Sequence, residues 1–109
     1  MFILTKILFI SPARKSRDIM TARAMQEARS AGIMISITTA TEKEGLARLA
    51  TEDDFGLILL CPNLRFLLNK EEGAALLNKT PLIVVPSNIL GSLDGVGLLR
   101  IIDQAIRNL

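Results

Sequence analysis

The chain has 109 residues, a formal net charge of +2 and an apolar half. That length suits one domain spanning residues 1–109, and so much apolar side chain supports a real core rather than a disordered segment. There is no histidine, Trp or Tyr, and Cys61 is the sole cysteine, which excludes an internal disulfide, histidine acid–base chemistry and an ordinary zinc site, and argues against a base-stacking nucleic-acid surface.

The opening MFILTKILFI is apolar but interrupted by Lys6, with no basic leader before it and no cleavage site in the right context after it. It reads as a strand over Leu4–Ile10. No run reaches the ~18 apolar residues that a membrane span requires, so a soluble, cytosolic protein is expected. The next segment, SPARKSRDIMTARAMQEARSAG, is rich in helix formers. Ser16 is expected to cap the helix, Asp18 suits the positive end of its dipole, and Gly32 suits its termination. Strands are then expected at Ile33–Thr38, Phe55–Cys61 and Leu82–Val85. Two of them, with LILL and LIVV, are continuously apolar, as strands buried on both faces of a parallel sheet are.

Between these strands, TEKEGLARLATEDD predicts a short helix opened by a capping box of Thr41 and Glu44. NLRFLLNKEEGAALLNKT predicts a helical region broken near Asn69–Gly73. At the end, Val96, Leu99, Ile102, Ile106 and Leu109 recur at helical spacing, with Arg100, Asp103, Gln104 and Arg107 opposite. Strand and helix thus alternate four times. Right-handed crossovers place helices on both faces of a parallel sheet, an α/β architecture.

Such sheets bind ligands beyond the carboxyl ends of their strands. Three loops are candidates there, SPARKSR, CPNLR and PSNILGSLDG, and the first carries the most chemistry. Arg14, Lys15 and Arg17 bring charge, Ser11 and Ser16 bring hydroxyls, and Ala13 lies among the amides at a helix N-terminus that suits an anion. The competing reading is a solvated basic turn. Cys61 ends the third strand; a buried, inert thiol is the preferred reading, and a nucleophile at the sheet edge is the alternative. Arg65 is read as an exposed helix arginine rather than a crevice residue. Asp94, before Gly95, is read as a helix cap rather than a catalytic carboxylate.

Three blocks together resemble one family. ILFISPARKSRDIM resembles the strand–loop–helix opening of enzyme IIB of the lactose/cellobiose class of the bacterial sugar phosphotransferase system. LILLCPNLRFLL looks like its third-strand block, and PSNILGSLDGVGLLRIIDQAI is similar to its C-terminal block with Asp-Gly-x-Gly. The resemblance covers nearly the whole chain, with a small insertion near Lys70–Gly73. It implies a four-stranded parallel sheet of order 2-1-3-4 in a three-layer sandwich, no cofactor, and IIA and membrane IIC components as partners. In that family a cysteine at the end of the first strand carries a phosphoryl group from IIA to a sugar. Ile10 stands at that position here, and Cys61 stands where the family has a glycine. The resemblance therefore implies a IIB-like component of sugar uptake whose phosphorylation site is lost, a regulatory or vestigial partner. The alternatives are a phosphocarrier using Cys61, with Ser11 or Ser16 as poorer acceptors, and an unrelated anion-binding module.

Overall fold

The computed structural model describes residues 4–52 and 54–108. Four strands, β1 (Thr5–Ile10), β2 (Ile35–Ala40), β3 (Leu57–Leu60) and β4 (Leu82–Val84), form one parallel sheet in the order β2-β1-β3-β4. The helices are α1 (Lys15–Ser30), α2 (Glu42–Thr51), α3 (Glu71–Leu77), α4 (Ser87–Ser92) and α5 (Gly95–Arg107), with a 3₁₀ helix at Pro62–Asn69.

LILL has the reason anticipated for it, whereas Leu82, Ile83 and Val84 of LIVV lie in the edge strand β4 and are only half-buried. Ile7 to Ile10 and Leu57 to Leu60 are fully buried because helices cover both faces of the central strands. Alternation sorts their side chains into two cores. Ile7, Phe9, Leu57 and Leu59 meet Met20, Ala24 and Ala28 of α1 and Leu98, Leu99 and Ile102 of α5. Leu8, Ile10, Ile58 and Leu60 meet Leu49 of α2, Leu64 and Leu67 of the 3₁₀ helix and Leu77 of α3.

Local signals act where their chemistry is simplest. Thr41 and Glu44 form the reciprocal capping box of α2. Asp94 caps α5 by accepting a hydrogen bond from the Gly97 amide at 2.8 Å. Gly32 follows α1 with φ +72°, a conformation costly for any residue with a Cβ. The expected break separates the 3₁₀ helix from α3 at Lys70.

Other expectations need correction. Ser16 does not cap α1: the helix starts at Lys15, two residues earlier than that cap would set, with extended Arg14 at the boundary and no side-chain cap. β2 lies two residues further along than expected, because Thr39 and Ala40 also pair with β1 while Ile33 and Met34 stay outside the strand. The segment after β4 holds α4, and its chain reverses at Leu93, a left-handed residue with φ 53°. Val96 is 49% exposed rather than buried: it lies in the first turn of α5, and Leu98 takes the core position instead. Leu109 lies outside the described residues.

Candidate functional site

A cavity of about 110 Å³ opens at the carboxyl edge of β1 and β3. Three segments wall it. The first loop and α1 contribute Ser11, Arg14, Ser16 and Arg17, the turn after β3 contributes Cys61 and Asn63, and α4 with its reversal contributes Leu90 and Leu93. β1 and β3 are adjacent, and the Cys61 amide donates to the Ile10 carbonyl at 3.0 Å, so the thiol and the basic loop share one crevice.

The loop is held from inside. Ser11 continues β1, its amide donating to the Ala40 carbonyl at 2.9 Å. Only 12% of the Arg17 side chain is exposed. Its Nη1 donates to the Ser11 carbonyl at 3.1 Å and its Nε to Asp18 Oδ1 at 3.1 Å. The guanidinium is thus fixed at the cavity wall with part of its donor fork unused by these two bonds. The Ser11 hydroxyl donates to the Pro12 carbonyl at 3.0 Å, so it must turn to donate to a ligand. Side chains cap α2 and α5, whereas none caps α1. The free amides at its start therefore remain for solvent or an anion.

The residues singled out from the sequence divide into groups. Ser11, Arg14, Ser16, Arg17 and Cys61 line the cavity, while Ala13 and Lys15 are exposed and do not belong to its wall. Cys61 is half-buried and touches both cores, so the picture of a wholly buried thiol is corrected. Arg65 is exposed and not part of the wall. Ile10 is the last residue of β1, yet its side chain is fully buried with the α2 core, on the other face of the sheet from Met20 and Leu90, which line the cavity. It sits against Gly45, where an added Cβ would lie 2.8 Å from Ile10 Cγ1.

The segment after β4 is a candidate by its place at the sheet edge, but nothing in the sequence singles out Leu90 and Leu93 for the wall. Leu90 and Leu93 arrive through α4 and the left-handed turn. The Leu93 amide donates to the Leu90 carbonyl at 3.3 Å and the Asp94 amide to the Ile89 carbonyl at 3.1 Å, the bonding of a helix end that normally takes glycine. A leucine there gives no sequence cue to the turn. Leu93 also borders a wider groove of about 550 Å³ between α1 and the start of α5. Among the described residues, no group of three or more His, Cys, Asp and Glu comes together to hold a metal, and no helix is long and apolar enough to cross a membrane.

No family model matches the chain, and no curated protein sequence matches it. Solved structures do match its fold. The cellobiose-specific phosphotransferase IIB component protein from Borrelia burgdorferi superposes with a TM-score of 0.70 at 23% identity, over 95% of this chain and 93% of that one. The lactose-specific IIB component domain of the phosphoenolpyruvate:carbohydrate phosphotransferase system from Streptococcus pneumoniae superposes with a TM-score of 0.71 at 12% identity, over 94% of this chain and 98% of that one. The chain has the fold of these IIB components.

Proposed function

We propose that this chain is a IIB-like cytosolic component of a bacterial sugar phosphotransferase system, in which the phosphorylation site has been lost while an anion-binding crevice and a docking surface for IIA or IIC remain. The observation that carries the reading is Ile10. At the position the family resemblance gives to the phosphocysteine stands a hydrocarbon side chain, fully buried against Gly45 and turned away from the cavity. The cavity nonetheless keeps Arg14, Arg17 and the uncapped start of α1. A fixed guanidinium, that of Arg17, with the exposed Arg14 beside it suits recognition of a phosphorylated or carboxylate-rich partner without accepting its phosphate. The role is then regulatory or vestigial, that of a pseudoenzyme.

One observation favours a second reading, an active phosphocarrier: Cys61 shares the cavity with Arg14 and Arg17. Its sulfur would take the phosphoryl group from a phosphohistidine, the S–P bond forming as the P–N bond breaks, with the thiol proton passing to the released imidazole. The test is incubation with phosphoenolpyruvate, enzyme I, HPr and a matching IIA, read by intact mass and by IIA binding. Retained IIA binding with no added phosphate supports the first reading. Added phosphate that disappears in Cys61→Ser overturns it in favour of the second. Loss of both binding and label leaves only an anion-binding module of this fold.

A further inference from the structure

The two edges of the sheet are unlike. β4 has three residues, lies between Pro81 and Pro86, and so offers little to another strand. β2 has six residues, ISITTA, with no charge, proline or glycine. Short edges, prolines and edge charges are the usual guards against strand addition, and β2 has none of them.

The direction of its free groups follows from the bonds to β1. The Thr5 amide donates to the Met34 carbonyl at 3.0 Å, and the Ser11 amide to the Ala40 carbonyl at 2.9 Å. Along a parallel strand, the residues that bond one neighbour alternate with those that face away. Ser36, Thr38 and Ala40 therefore bond β1, and Ile35, Ile37 and Thr39 direct their N–H and C=O groups outward. Among the described residues these outward groups have no partner.

We propose that this edge pairs with β2 of a second copy, antiparallel, about a two-fold axis at Ile37. In that register Ile37 faces Ile37 and Ile35 faces Thr39 of the second copy. All the outward groups of both strands are then used without recruiting a loop residue. A two-fold axis perpendicular to the sheet keeps α1 with α1 and α2 with α2, so the two sheets continue as one. The start of β2 favours this direction, because Leu4, Ile33 and Met34 line an apolar groove there. The exposed Met34 then comes opposite Ala40 of the second copy, which gives this apolar side chain cover.

The register also sets Ser36 opposite Thr38 of the second copy, on the α2 face. This makes the proposal testable by sedimentation velocity of the full chain from micromolar to millimolar concentration. A reversible dimer is expected. Ser36→Lys with Thr38→Lys sets like charges directly opposite and should weaken the dimer about tenfold or more, whereas Ser36→Glu with Thr38→Lys sets opposite charges together and should retain it. Amide exchange of Ile35, Ile37 and Thr39 should slow as concentration rises, while that of Ser36, Thr38 and Ala40 stays unchanged. A wild-type chain that remains monomeric at millimolar concentration overturns the proposal. So does a dimer indifferent to the double lysine variant, or one that leaves those three amides unprotected.

Discussion

Gly45→Ala tests how firmly Ile10 is held beneath α2. In an unobstructed helix interior, replacing glycine with alanine gains about 1 kcal/mol. Here the new methyl group would lie 2.8 Å from Cγ1 and 2.9 Å from Cδ1 of Ile10, which has no exposed surface into which to move. Overpacking of this kind costs about 1–3 kcal/mol, so the single variant should be destabilised by about 1 kcal/mol net. Ile10→Ala empties the same space and should cost about 3 kcal/mol. Combined, the clash disappears, the helix gain is realised and part of the void is filled. The double variant should then lose only about 2 kcal/mol, a coupling of about 2 kcal/mol between touching residues. Urea unfolding of the four proteins measures the cycle. Additivity within about 0.5 kcal/mol would show that the two residues do not share this space. A Gly45→Ala variant more stable than the parent would show that Ile10 turns aside freely.

Two further glycines should respond in opposite directions. At Gly91, in α4, an added Cβ meets nothing within 4 Å, and alanine should raise the unfolding midpoint by an amount equivalent to about 0.5–1 kcal/mol. At Gly32 the space is equally open but φ is +72°, so alanine should lower stability by about 1 kcal/mol and asparagine by less. Arg17→Met keeps an apolar stem but removes the bond to the Ser11 carbonyl; phosphate binding followed by NMR titration should weaken about tenfold, and unchanged affinity would remove Arg17 from the site. Acid should erode the start of α2. The side-chain bond from Thr41, then its backbone N–H, with Arg17 and Arg48 nearby, hold the Glu44 carboxyl below its ordinary value of 4.5. A carboxyl depressed in the folded state contributes above its unfolded pKa and loses that contribution as pH falls through the folded value. Glu44→Gln should therefore flatten the decline of stability below about pH 4.5, seen in thermal melts across that range.

Much of the architecture is legible in the residues because burial on two faces leaves an unambiguous trace. LILL and ILFI have no polar face to offer water, and their alternation with helical segments places them in a parallel sheet covered on both sides. Caps made by one side chain and one nearby amide, such as Thr41 and Asp94, are equally readable. What escaped depends on distant partners. Thr39 belongs to a strand because β1 lies beside it, not because it is apolar. Val96 has the spacing of a core residue but faces outward, because the first turn of α5 packs on α1 through Gly95 instead. The cavity is the plainest case. Its basic loop stands out in the sequence, whereas Leu90 and Leu93 reach it through a left-handed leucine that no pattern announces.

The sheet acts as a partition between two packing problems. Ile10 is solved on one side, with Gly45 and Leu49 for company, and most of the crevice wall is solved on the other, by α1 and α4. Substitutions that tune one layer need no matching change across the strands. The side chain at the end of β1 can therefore be exchanged by repacking a single layer, with most of the crevice wall on the other side left as it is.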